Sequence, residues 1–401
     1  MTFVTALSED LIWVSRISHG QKVTLSKSIE DEGLRIPPTP IFQKGQLNEM
    51  ILGAMQAHPL CPPNFAAWVK GHCQQLTARL QRFIEAVEVS GLNVTSELIE
   101  EYWRLSKEMA SKRISDRPYG ETKVDVVLDS GELLRLKLET RDGKVFLDFS
   151  GTSAGKTVFM TESAAASVCF HSIATYYGFE KFSNAGTLSL LQVTKPTGCW
   201  LMAKYPAPMY KGMTCGKAAL QSSLELALSH IHAKTATSVS AHCPLYIEIK
   251  SLSQSATQPG HTLQLFGGES GQQGRNGKDG ILAMTSLEQI ERDYPIRITR
   301  IDKRESAGGI GKYSGGRGSV IHFEVLKDLE IHWLTDLTLH RPRLVRACTH
   351  GDSSTVTLER NGESKLLPVL GIETFKAGDR VTFASASGGG SGIPEVKAVV
   401  E

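Results

Sequence analysis

Gly151-Thr152-Ser153-Ala154-Gly155-Lys156-Thr157 follows an extended run and ends in the Gly-Lys-Thr of a phosphate-binding loop. Such a loop holds four residues between its glycines so that successive N–H groups curl around a β-phosphate, and here there are three. The spacing predicts a tight strand-to-loop turn and no ATP site. Glycine is dense in three later loops: Gly267-Gly268-Glu269-Ser270-Gly271 with Gly274, Gly277 and Gly280; Gly308-Gly309-Ile310-Gly311 with Gly315, Gly316 and Gly318; and Gly388-Gly389-Gly390-Ser391-Gly392. None gives Gly-x-Gly-x-x-Gly between a strand and a long helix, so a dinucleotide fold is not supported. Each loop reads as a turn, and the three together as a shared backbone-lined surface.

The twelve histidines form few constellations. On a helix, His230 and His232 diverge by about 200°, so they read as core or capping residues and not as a metal pair. Should a metal be found, its ligands would be sought among His171, His230, His232 and His242. His340-Arg341-Pro342-Arg343 reads as a basic loop. Cys215, near the start of a predicted helix, has no neighbouring histidine to activate it and reads as a buried structural thiol.

The elements that must position these residues alternate in kind. Residues 1–58 read as an extended wrapping segment, with Leu11-Ile12-Trp13-Val14 strand-like and Ile36-Pro37-Pro38-Thr39-Pro40 unable to sit inside a helix. Residues 59–118 read as a helical hairpin: Phe65, Trp68, Val69, Cys73, Leu76, Leu80, Phe83, Ile84 and Val87 recur at steps of three and four, and a second run spans Ser96 to Met109. In 119–245, the alternating runs Val124–Leu128 and Val145–Phe149, with turns at Asp129-Ser130-Gly131 and Asp142-Gly143, predict a small antiparallel sheet. Two buried helices follow, from Ala164 to Tyr177 and from Lys217 to His232. Residues 246–401 read as β-rich with the glycine loops. The expected class is α+β, with mixed sheets and packed helices.

Across 401 residues, 44 Lys+Arg against 42 Asp+Glu leave a formal charge of +2, which argues against nucleic acid or an anionic membrane as partner. Seven cysteines without a Cys-x-x-Cys pair read as reduced thiols in a cytoplasmic compartment. Neither a secretory leader nor a membrane span is expected.

Read in order, Glu32-Gly33-Leu34-Arg35-Ile36-Pro37-Pro38, Asp148-Phe149-Ser150-Gly151-Thr152-Ser153, Asn184-Ala185-Gly186, Asp293-Tyr294-Pro295-Ile296-Arg297, the run from Glu305 to Gly318, and Ser387-Gly388-Gly389-Gly390-Ser391-Gly392-Ile393-Pro394 resemble the B-type subunit of N-methylhydantoinase. That family also forms the C-terminal half of 5-oxoprolinase and is similar to acetone and acetophenone carboxylase subunits. The resemblance implies opening of cyclic amides, with a second, ATP-handling subunit and a metal held in the N-terminal region. This chain departs there: it begins where the family is already well over a hundred residues in, and Ser18-His19-Gly20-Gln21-Lys22 stands in place of the family's His-His-x-Asp string. Only His19 matches a ligand, and one imidazole does not hold a catalytic divalent ion.

The expectation is therefore a metal-independent enzyme without a cofactor, acting on a small cyclic amide, lactam or related metabolite through acid/base groups and backbone donors from the glycine loops. The alternatives are a subunit completed by a hydantoinase A-like partner and an ATP-dependent chain, or a non-catalytic binding relic. His19 is the expected acid/base. Arg35, Asn184, Gly186, Gly267 and Gly268 are expected beside the small-molecule substrate. A homo-oligomer or obligate partner is expected to bury the segment from Thr5 to Val23.

Overall fold

The computed structural model describes residues 26–32, 39–43, 46–57, 61, 65–91, 94–232, 240–252, 261–272, 274–283, 286–340 and 348–392. His19, Arg35, Trp13 and the Thr5–Val23 segment lie outside them.

A short ladder of β1 (Phe42–Gln43) and β2 (Gln46–Leu47) precedes α1 (Glu49–Gln56), α2 (Phe65–Ser90) and α3 (Ser96–Ser115). The two long helices fall where the apolar period placed them, but they do not close on one core. The residues that α2 buries, Phe65 and Val69, pack with Leu52 and Met55 of α1, whereas Ala110 and Ile114 of α3 join a different cluster. Leu80, Phe83 and Ile84 of α2 stay exposed.

That larger cluster is built on a four-stranded sheet ordered β3 (Gly120–Val127), β4 (Leu133–Arg141), β5 (Lys144–Asp148), β6 (Leu191–Thr194), antiparallel except for the β5–β6 pair. The two expected turns join its first three strands, with Gly131 at φ +87° and Gly143 at φ +66°, conformations that glycine adopts without Cβ strain. On β4, Leu134, Leu136 and Leu138 are fully buried, the alternation of a strand with one face on the core. Against this face lies α6 (Lys217–Ile231), with α4 (Glu162–Tyr177) packed on α6 and the short α5 (Ala185–Leu188) beside α3. Thr161 caps α4 at its start, its hydroxyl accepting from Ala164 N–H, and Gly178 ends it at φ +75°.

From Leu245 onward two five-stranded sheets face each other. One is ordered β15-β12-β7-β8-β9 and the other β10-β11-β16-β13-β14. In chain order these are β7 (Leu245–Ser251), β8 (His261–Leu265), β9 (Leu282–Ala283), then α7 (Leu287–Asp293), β10 (Ile296–Lys303), β11 (Ser319–Val325), β12 (Leu329–Leu334), β13 (Thr355–Arg360), β14 (Glu363–Leu367), β15 (Leu370–Phe375) and β16 (Arg380–Ala384). Ile247, Ile249, Trp333 and Phe375 from the first sheet interdigitate with Ile321, Phe323, Val381 and Phe383 from the second. Helices and antiparallel strands are segregated along the chain, so the fold is α+β, as the element order predicts.

The glycine loops are neither separate turns nor an open surface. They lie against one another, backbone to backbone, at the end of the sandwich. Gly268 donates to the Ala386 carbonyl, Gly271 to Gly389, Gly316 to Glu269, Gly388 to Gly316 and Gly309 to Gly388, at 2.8–3.0 Å. A Cβ on Gly388 would sit 1.9 Å from the Glu269 carbonyl oxygen, and one on Gly316 would sit 1.9 Å from that of Lys278. Close approach, and not positive φ, is what requires glycine there. Because these N–H groups already have carbonyl partners, the expected oxyanion donors from the glycine loops are not available at Gly268, Gly271, Gly309, Gly316 or Gly388.

Two aspartates tie the sandwich to the helical unit. The Asp336 carboxylate accepts the Asp129 N–H at 2.8 Å, and the Asp129 carboxylate accepts from the N–H groups of Thr338, Leu339 and His340 and from the Thr338 hydroxyl. Asp336 is buried, and burial pushes its carboxyl up to about 6.

Candidate functional site

A cleft of about 970 Å³ opens between the helical unit and the glycine stack. Arg117 at the end of α3, His171 and Tyr176 on α4, Glu225 on α6, His232 just beyond α6, His242, and Ser270 of the first glycine loop line it. Pockets of this size that carry a few convergent polar groups are where small ligands bind.

On the α6 side, His242 Nε2 stands 2.8 Å from Glu225 Oε1, and both side chains are largely sheltered from solvent. The approach is close but off-line, and Nε2 makes no aligned hydrogen bond. Glu225 is held in place by its other oxygen, which accepts the Ser240 N–H at 2.9 Å. The segment carrying His242 is set by the glycine stack: Ala241 N–H donates to the Gly268 carbonyl at 3.1 Å, and a Cβ on Gly267 would meet the Ala241 methyl at 2.4 Å. Ser240 and Ser270 hydroxyls lie 3.1 Å apart beside it. A carboxylate next to an imidazole orients the ring, and an imidazole lining a cleft is a group that can take and return a proton.

A second hydrogen-bonded pair lines the cleft beyond the end of α6. His232 Nε2 lies 3.1 Å from the Pro118 carbonyl, which only an N–H can donate to, so Nδ1 is the bare nitrogen that accepts the Tyr176 hydroxyl at 2.7 Å. Burial holds the His232 imidazole below its ordinary value and so favours the neutral ring that this arrangement needs. Its neighbour in sequence, His230, turns away to Thr122 Oγ1 at 3.2 Å, the divergence that a helical reading predicts.

The residues proposed from sequence fall in different places. Gly267 and Gly268 lie under the His242 segment, at the edge of the cleft. Asn184 and Gly186 sit elsewhere. Asn184 caps α5, its Oδ1 accepting from Gly186 and Thr187 N–H, and a Cβ on Gly186 would collide with the Trp103 carbonyl of α3 at 2.2 Å. The Glu32 that opens the Glu-Gly-Leu-Arg string is buried and accepts from the N–H groups of Met209 and Tyr210, which anchors the described part of the N-terminal segment. Cys215 is buried, and its contact with Cys243 together with burial pushes its thiol up, which disfavours the thiolate. The Glu225–His242 pair was not singled out from sequence.

Three of the four histidines considered as fallback ligands line the cleft, yet among the described residues no three His, Cys, Asp or Glu side chains are grouped to hold a metal ion. Among the same residues, no helix is long and apolar enough to cross a membrane.

Residues 15–394 match the Hydantoinase B/oxoprolinase family, and the chain belongs to it. An uncharacterized protein of Methanocaldococcus jannaschii is 25% identical over 389 residues, covering 92% of this chain and 66% of that protein. The 5-oxoprolinase 1 of Arabidopsis thaliana is 23% identical over 422 residues, covering 94% of this chain but 32% of the relative. Among solved structures, the ATP-dependent caprolactamase from Pseudomonas jessenii superposes with a TM-score of 0.73 at 17% identity, over 93% of this chain and 69% of that one. The chain thus spans less than two thirds of the length of these two curated relatives.

Proposed function

We propose that this chain is a B-type enzyme component that opens or closes the ring of a small cyclic amide or lactam by acid/base chemistry, with no resident metal in the residues described. The observation that carries the reading is the Glu225–His242 pair, set in the cleft. The family and the kinds of ring named in its members, oxoproline and caprolactam, support the substrate class.

In this reading His242 removes a proton from the attacking water, and Glu225 stabilises the imidazolium that results. The resulting imidazolium returns that proton to the departing ring nitrogen, while the Tyr176 hydroxyl, held by neutral His232, lines the cleft beside it. An unactivated amide resists such attack, so the same reading gives the chain a hydantoinase A-like, ATP-handling partner. The ATP-dependent relative of the same fold favours that assembly. His19 and Arg35 stay in the proposal as an additional acid/base and a substrate contact, and Gly267 and Gly268 as the backbone beneath the substrate side of the cleft. A second copy or the partner is proposed to cover Thr5–Val23.

The test is ring opening of a lactam panel by the purified chain, alone and with such a partner, before and after exhaustive chelation. Turnover that survives chelation and depends on His242 supports the reading. Turnover abolished by chelation and restored by one divalent ion per chain contradicts its metal-independent form.

A further inference from the structure

Helix α3 carries two apolar rows. Ala110 and Ile114 face the larger core, while Leu98, Tyr102, Leu105 and Met109, at steps of four, three and four, lie in solvent at 41–53% exposure. That spacing is the seam of a helix that meets another helix. Leu80, Phe83 and Ile84 of α2 are exposed as well. Together these side chains present roughly 600 Å² of apolar surface, more than a soluble monomer ordinarily leaves bare and close to the ~800 Å² a side of a stable interface. The chain's own α2 is a poor cover for the α3 row. Closing the two helices on each other would crowd Glu85 and Glu88 at the end of α2 against Glu97, Glu100 and Glu101 at the start of α3. Instead α2 packs on α1, and α3 on α5 and β5.

A second copy supplies the complement. Set antiparallel about a two-fold axis, the α3 row pairs with itself in register: Leu98 faces the second copy's Met109, and Tyr102 faces its Leu105. The charges along one flank of the row agree with this arrangement. In its middle, Glu101 and Glu108 are tied to Arg104 at 2.6 and 2.5 Å. Its ends carry Glu97 and Lys112, opposite in sign, and Lys112 stays 76% exposed although it contacts Asp116 of its own chain at 3.2 Å. Antiparallel pairing sets Glu97 of each copy beside Lys112 of the other, whereas parallel pairing would set like charges together. We propose that the exposed α3 row, flanked by the apolar residues of α2, is a two-fold interface with a second copy of this chain. This surface is separate from the Thr5–Val23 segment and independent of the chemistry in the cleft.

The experiment is sedimentation equilibrium of the full chain alone, at micromolar concentrations. The expected result is a species of twice the 43.7 kDa chain mass. Tyr102→Glu sets two carboxylates near the two-fold axis and should raise the dissociation constant by about 100-fold or more, with the circular dichroism spectrum unchanged. Glu97→Lys and Lys112→Glu should each weaken the dimer by about 3- to 10-fold. Mixing these two single variants should restore it, because each then meets its opposite charge across the seam, a recovery that damage within one chain does not allow. A monomer at tens of micromolar overturns the proposal. So does a dimer indifferent to Tyr102→Glu, which would be held by another surface, and so does a mixture that stays as weak as its components. A chain that is monomeric alone but binds an ATP-handling partner through Tyr102 overturns the second copy as the occupant of this face.

Discussion

Glu132 occupies the nest that the Gly-Lys-Thr string builds. Its Oε1 accepts the Thr157 N–H at 2.6 Å, with Lys156 N–H at 3.1 Å and Val158 N–H at 3.0 Å completing the cradle. The chain has made a small anion site and filled it with its own carboxylate. Burial raises this carboxyl, but the Ser130 hydroxyl and the three N–H groups outweigh it and hold the group below its ordinary value.

The first prediction follows. Mg-ATP should give no binding heat in titration calorimetry with the chain alone, and micromolar affinity lost in Lys156→Ala would refute this. Glu132→Ala leaves three buried donors unsatisfied and should cost about 2–4 kcal/mol in urea unfolding. A loss below about 0.5 kcal/mol would show that the cradle does not matter for stability.

Gly388→Ala should destabilise by about 3 kcal/mol, because the added methyl meets the Glu269 carbonyl and neither backbone can yield without moving a second glycine loop. Gly53→Ala in α1, where nothing lies within 4 Å, is the control and should be neutral or stabilising by about 0.5–1 kcal/mol. Thermal unfolding of both variants checks the contrast, and equal effects would remove the glycine stack from the account.

Asp336 gives a pH dependence of defined sign. Its folded carboxyl titrates at about 6, above the unfolded value of about 3.9, so the folded state holds the extra proton between these values. Its contribution to stability is fully present below about pH 4 and is lost as pH rises through about 6. Asp336→Asn keeps an acceptor for Asp129 and Leu337 N–H but cannot ionise. Relative to wild type, it should gain about 2–3 kcal/mol between pH 4 and pH 7, read from denaturant midpoints. A pH-independent difference would contradict the buried, raised carboxyl.

What the sequence disclosed depended on how local the cause was. The helices over 65–90, 96–115, 162–177 and 217–231 follow from apolar spacing, and the turns at Gly131 and Gly143 from local conformation. The regular alternation of Leu134, Leu136 and Leu138 marks the central strand Leu133–Arg141 as well. The glycine loops were recognised, but their mutual packing depends on backbone approach between segments up to about 120 residues apart, which leaves no motif. Glu225 and His242 meet only because the chain returns past α6, and neither carries a spacing signature.

The central claim is that the Glu225–His242 pair performs proton transfer on a ring amide. Its most direct test is the kcat for lactam opening at pH 7 by the chain assembled with its ATP-handling partner, compared between wild type and Glu225→Gln. The account predicts a fall of about 100-fold or more, with assembly and melting temperature preserved. A Glu225→Gln enzyme that turns over at the wild-type rate would contradict it.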